Sequence, residues 1–236
     1  MSQDFKVLLQ GIIEKLEPSH RPVGKRDIEA VLQAGADSIT DLYAILRDRN
    51  VNTDVRSAIC WILARVSDQR AVPALLGALG DESSKLRAAA ARSLGELGGD
   101  ANVQPLIAAM VEDEDAEVRL SGAYALGLLG NKQAVEPLVT RLRDAKEDPR
   151  VRGAIAEALA DLRDRRAVIP LIKALSDKSI EVRFWAAFAL GELGDARALP
   201  ELERMAGADD AVLPGHGALK EEAQAAVRRI KHFGSS

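Results

Sequence analysis

Three histidines, His20, His216 and His232, and a single cysteine, Cys60, are the side chains best suited to hold a soft metal or to act as nucleophile and base. Their spacing gives neither a zinc ligand pair nor a Cys-His neighbourhood, so no metal site, cofactor or catalytic residue is expected. Asp209, Asp210 and His216 come nearest to a ligand set, but they share the polar stretch GADDAVLPGHG at 207–217, which reads as a loop. The glycine clusters fall at helix ends rather than in a phosphate-binding loop. The remaining candidates recognise rather than transform. Five of the eight aromatic residues, Trp61, Tyr124, Phe184, Trp185 and Phe188, fall in segments of one repeated type.

Those segments belong to an internal repeat. An apolar residue followed by arginine recurs as Val55-Arg56, Leu86-Arg87, Val118-Arg119, Val151-Arg152 and Val182-Arg183, the arginines stepping by 31, 32, 33 and 31 residues. Pro73, Pro105, Pro137, Pro170 and Pro200 keep the same beat, each suited to a first helical turn whose amides need no acceptor. A second helix in each unit runs through the arginine and closes near a glycine such as Gly98, Gly130 or Gly194. Leu86, Ala90, Leu94 and Leu97, like Val182, Ala186, Leu190 and Leu193, form one helical stripe. A lone hairpin cannot bury both of its stripes, so the units must stack. The fold class expected is an all-α solenoid of about six to seven helix pairs.

The ends depart from the pattern. Residues 1–50 read as a degenerate N-terminal cap, with an amphipathic helix over 3–16 and a capping box at Ser38 and Asp41. Residues 51–206 are the regular repeats. The loop insertion and a C-terminal capping helix fill 207–236, and the whole of 1–236 reads as a single solenoid.

The motif AVPALLGALGD(x)4LRAAAARSLGELG at 71–98, echoed at 103–130, 135–162 and 168–194, resembles the HEAT repeat in its short bacterial, phycobilisome-lyase-like form. The resemblance implies a right-handed superhelix with first helices on the convex side and second helices on the concave side. It further implies a structural ladder in which Asp81, Asp113 and Asp177 pair with Arg87, Arg119 and Arg183 six positions later, a carboxylate meeting both a guanidinium and a helix N-terminus. Asp144 and Arg152 break that register, because Glu147, Asp148 and Pro149 lie in a longer turn. The chain is also similar in its helix pairs to deoxyhypusine hydroxylase, whose iron is held by His-Glu dipeptides. Here Glu96, Glu157 and Glu192 follow Gly95, Ala156 and Gly191, so those ligands do not carry over.

Function is then sought where the repeat varies. One, five and nine positions after each arginine, the residues share a face turned away from the core stripe. They are Ser57, Trp61 and Arg65; Ala88, Arg92 and Glu96; Leu120, Tyr124 and Leu128; Gly153, Glu157 and Asp161; and Phe184, Phe188 and Glu192. This pattern predicts a concave partner-binding groove carrying Trp61, Tyr124 and Phe188, flanked by Phe184 and Trp185 and rimmed by Arg92, Glu157 and Glu192. The competing expectation is that the rings merely fill space between repeats.

Composition bounds the partner. Among 236 residues, 47% are hydrophobic and 29% charged with a net charge of −4, which lacks the basic field that attracts a nucleic-acid backbone. No stretch is apolar enough for a membrane span, and one cysteine with no leader-like start suggests a reducing cytoplasm. The leading expectation is a non-catalytic scaffold that binds a protein partner. The alternative, which follows from the repeat subtype, is an enzyme of the bilin-lyase type or a phycobilisome-degradation-like protein handling a linear tetrapyrrole on a biliprotein.

Overall fold

The computed structural model describes residues 36–233, and the helix expected over 3–16 lies outside them. The described residues contain twelve α-helices and one small β-hairpin. They fall into two compact units divided between Asn102 and Val103. Among them no helix is long and apolar enough to cross a membrane.

The first unit holds α1 (Ala36–Arg47), α2 (Thr53–Val66), α3 (Val72–Ala78) and α4 (Ser84–Leu97). Helix α1 begins at Ala36, upstream of Ser38, so the capping box expected at Ser38 and Asp41 does not mark its start. The second unit holds α5 (Val103–Glu112), α6 (Ala116–Leu129), α7 (Val135–Leu142), α8 (Pro149–Leu162), α9 (Val168–Ala174), α10 (Ile180–Leu193), α11 (Leu199–Ala208) and α12 (Leu219–Phe233).

The repeated prolines act as their position suggests. Pro73 and Pro200 stand in the first turns of α3 and α11. Most first helices are preceded by a short 3-10 turn whose opening residue, Asp68, Asn131, Asp164 or Asp195, accepts the amide two residues on. Second helices end in the left-handed region at Gly98, Gly130 and Gly194, with φ of 74°, 66° and 67°. Ser67 and Arg163 occupy the same place without glycine's freedom, at φ 57° and 47°.

Core formation follows the aliphatic stripes. Leu86, Ala90 and Leu94 are fully buried, as are Val118, Leu126, Val151, Ile155, Leu159, Val182, Ala186 and Leu190. Within the second unit α6, α8, α10 and α12 pack side by side along their lengths, while successive first helices touch at few points. Small residues allow the close approach: a Cβ on Gly122 would stand 3.0 Å from Cβ of Met110, and one on Gly191 would stand 2.9 Å from Cα of Ala226.

The segment at 207–217 is not the loop expected. Helix α11 continues to Ala208, and Val212–Leu213 (β1) pairs antiparallel with Gly217–Ala218 (β2), a hairpin packed on α10.

Candidate functional site

The repeated arginines are structural, but their partners differ from the ladder expected. Arg87, Arg119 and Arg183 do reach Asp81, Asp113 and Asp177 six positions earlier, at the backbone carbonyl, with Nη1 donating at 2.9, 2.8 and 2.9 Å. The carboxylates of Asp81 and Asp177 are instead taken by the arginine of the preceding repeat. Arg56 Nη2 donates to Asp81 at 2.6 Å, and Arg152 pairs with Asp177. Arg119 is carried by Glu147 and Arg183 by Asp209, each again one repeat ahead. The reason is geometric: the aspartate's second oxygen is committed to the turn that leads into its own second helix, as Asp81 accepts from the Ser83 amide and Asp177 from Ser179. Burial works against ionisation of Asp81, but the Ser83 amide and Arg56 outweigh it and hold the carboxyl below its usual range.

In the first unit, Trp61 on α2 is half-buried and Arg65 lies over its ring, 4.9 Å from the centroid. The Arg65 guanidinium also approaches Glu96 at 3.9 Å, and Arg92 on α4 is exposed.

In the second unit three neighbouring second helices present the remaining candidates. On α6, Tyr124 and Leu128 are 44% and 47% exposed, large apolar side chains one turn apart on one face. On α8, Glu157 and Asp161 occupy the equivalent positions. Among the described residues neither carboxylate has a hydrogen bond or an ion pair. Burial pushes the pKa of Glu157 up, Asp161 adds to the rise and His216 opposes it. Asp161 is likewise raised by burial, with Glu192 adding and Arg163 opposing. Asp161 leans toward α6, where its Oδ2 would stand 3.0 Å from a Cβ on Gly127.

On α10 the rings gather into a cluster. Trp185 stands edge-on to both Phe184 and Phe188, with centroids 5.6 Å apart in each pair, and the indole edge fits over Gly153 of α8. His216 from the hairpin closes the cluster, 5.6 Å from Phe184 and 5.3 Å from Trp185. Phe184 is therefore only 6% exposed. It supports Trp185 instead of lining a groove, a correction to the expectation that it contacts a partner. Trp185 and Phe188 remain half-buried, with Arg229 of α12 lying 5.4 Å from the Phe188 centroid and 3.5 Å from Glu192.

His216, Asp209 and Arg229 were thus missed as contributors by spacing alone. The sequence held one signal for Asp209: it follows Arg183 by 26 residues, much as Asp81 and Asp177 follow Arg56 and Arg152 by 25. Asp209 and Asp210 are engaged by Arg183 and Lys220, and among the described residues no group of three or more His, Cys, Asp and Glu could hold a metal ion.

Paired helices, proline-led first helices and an arginine-to-next-repeat ladder define an all-α solenoid. The family model for HEAT repeats matches residues 39–127, 103–177 and 135–213, and the chain belongs to that family. Among solved structures it is similar to the Escherichia coli protein YibA, at 19% identity over 98% of this chain and 97% of that one, with a TM-score of 0.58. It is also similar to the complex of CpcE and CpcF of phycocyanin lyase from Nostoc sp. PCC7120, at 19% identity over 94% of each chain and a TM-score of 0.51. A designed armadillo repeat protein in complex with the peptide (KR)4 matches at 21% identity over 81% of this chain and 99% of that one, with a TM-score of 0.53. Comparison with the curated proteins returns no match.

Proposed function

We propose that this protein is a non-catalytic interaction scaffold that receives a protein partner, or an extended segment of one, on the second-helix face of the unit beginning at Val103. The observation that carries the reading is the exposure of Tyr124 and Leu128 on α6, beside the unpaired carboxylates of α8. Large apolar side chains left nearly half in water at neighbouring helical positions forgo roughly 1 kcal/mol of burial each, and contact with a partner recovers it. Rings of Trp185 and Phe188 extend the same face onto α10, held in place by Phe184 and His216. The stacked repeats need no chemistry for this role, only a rigid surface.

The bilin-handling alternative shares a solenoid with CpcE and CpcF, and that likeness concerns fold. Glu157 and Asp161 beside the rings argue against it, since the propionates of a tetrapyrrole would meet like charge.

Affinity capture with the full chain tests the proposal. A partner recovered by the wild type should be lost from the Tyr124→Ala/Leu128→Ala variant and kept by Ile169→Ala, which removes an equally exposed residue from first helix α9. Retention by the first variant at wild-type yield would refute it.

A further inference from the structure

The five- and nine-position columns of the second helices contain a recurrent arrangement, a guanidinium held between an aromatic ring and a carboxylate. In the first unit Arg65 lies over Trp61 and reaches Glu96. At the end of the second unit Arg229 lies over Phe188 and reaches Glu192. Each group of three uses a ring at the five position and charged residues at nine positions on adjacent second helices; in α12 Lys220 stands where the repeated arginine would, and Arg229 follows it by nine residues. Ring face and carboxylate both favour a cation there, and each site is filled from within the chain.

The middle of the second unit has the ring and the carboxylates without the cation. Tyr124 holds the five position on α6, and Glu157 and Asp161 hold the five and nine positions on α8. The residue at the nine position of α6 is Leu128, where the first unit has Arg65. Consequently the carboxylates lack an ion pair, and Tyr124 is exposed.

We infer that this place accepts a lysine or arginine side chain from an extended segment of the partner, its cation against Glu157 and Asp161 and its alkyl stem along Tyr124 and Leu128. Charge complementarity selects that occupant. Two like charges one helical turn apart, Glu157 half-buried and Asp161 exposed, are stabilised together by one incoming cation. Long basic side chains cover apolar surface with their methylenes while the head group reaches the acid. Trp185 and Phe188 lie beyond the carboxylates on α10, so a following basic or apolar residue meets a second ring surface. The inference rests on the second-helix face being the docking surface, and it adds the chemistry that face selects.

Fluorescence anisotropy with a labelled peptide of about eight alternating lysines and arginines, beside a glutamate-rich peptide of equal length, tests it. The full chain should bind the basic peptide and not the acidic one, with affinity falling as salt is raised above about 0.15 M. Glu157→Gln/Asp161→Asn and Tyr124→Ala/Leu128→Ala should each weaken binding roughly tenfold. The carboxamide variant preserves shape and removes two charges that no partner within the chain needs, so it remains folded, which its helical circular dichroism verifies. No binding up to about 1 mM peptide overturns the inference. So does binding that the carboxamide variant leaves unchanged. If in that case the ring variant still loses a partner captured as described above, the docking face stands and only its preference for a cation is wrong. If capture survives the ring variant, the face itself is wrong.

Discussion

Arg119 grips both carboxylate oxygens of Glu147, Nε at 2.8 Å and Nη2 at 2.6 Å, across two successive repeats. The Glu147 side chain is 1% exposed, and Arg141 adds a third guanidinium contact at 2.8 Å. A second helix is thereby fastened to the turn before the next one, at the place where the longer turn displaces Asp144 from that role.

Loss of this carboxylate should be severe. Glu147→Ala strands two arginines in a partly buried setting and is expected to cost about 3 kcal/mol or more in chemical denaturation. Burial opposes its ionisation, yet Arg119 and the Asp148 amide hold the Glu147 pKa below 4.5. Its contribution is therefore complete above that value and fades as pH falls through the lower folded one. Denaturation midpoints measured from neutral to acid pH should decline more steeply for the wild type than for Glu147→Gln.

The carboxylates of the docking face should behave in the opposite sense. Glu157 and Asp161 bind protons more tightly in the folded chain, so their charge detracts from stability at neutral pH and ceases to do so on acidification. Glu157→Gln and Asp161→Asn should each raise stability slightly at neutral pH, a gain that vanishes as pH falls to where the wild-type groups are protonated. Thermal melts across that range read the difference.

Helix spacing at the C-terminal end depends on an absent methyl group. An added Cβ at Gly191 meets the Ala226 backbone at 2.9 Å and Arg229 at 2.6 Å. Gly191→Ala should cost about 1–3 kcal/mol and disturb the Arg229 contact with Phe188, visible as a lower melting temperature.

Cys60 is buried in α2, and burial pushes its thiol up to about 12. A maleimide at about pH 8 should leave it unlabelled in the native chain and label it at the rate of unfolding, which makes it a reporter for the first unit.

Much of the fold was legible because repetition amplifies weak signals. One pair of an apolar residue and arginine says little, whereas five at a near-constant step fix two helices per unit and the stripe each must bury. The ladder's side-chain pairs lie one repeat further apart than spacing within a repeat suggests. Spacing along one chain favours Asp81 with Arg87, but the carboxylate of Asp81 is divided between the Ser83 amide and Arg56, a partner brought close only by stacking. The side on which Tyr124 and Glu157 lie is legible, because helical position alone dictates it. The burial of Phe184 is not legible, because nothing in GADDAVLPGHG announces a hairpin that sets His216 over it.

The most direct test of the docking face is amide hydrogen exchange on the second unit with its captured partner bound. Protection should concentrate on α6, α8 and α10 around Tyr124, Glu157 and Trp185, leaving first helices α7 and α9 unchanged. Protection confined to the first helices, with the second helices exchanging as in the free chain, would contradict it.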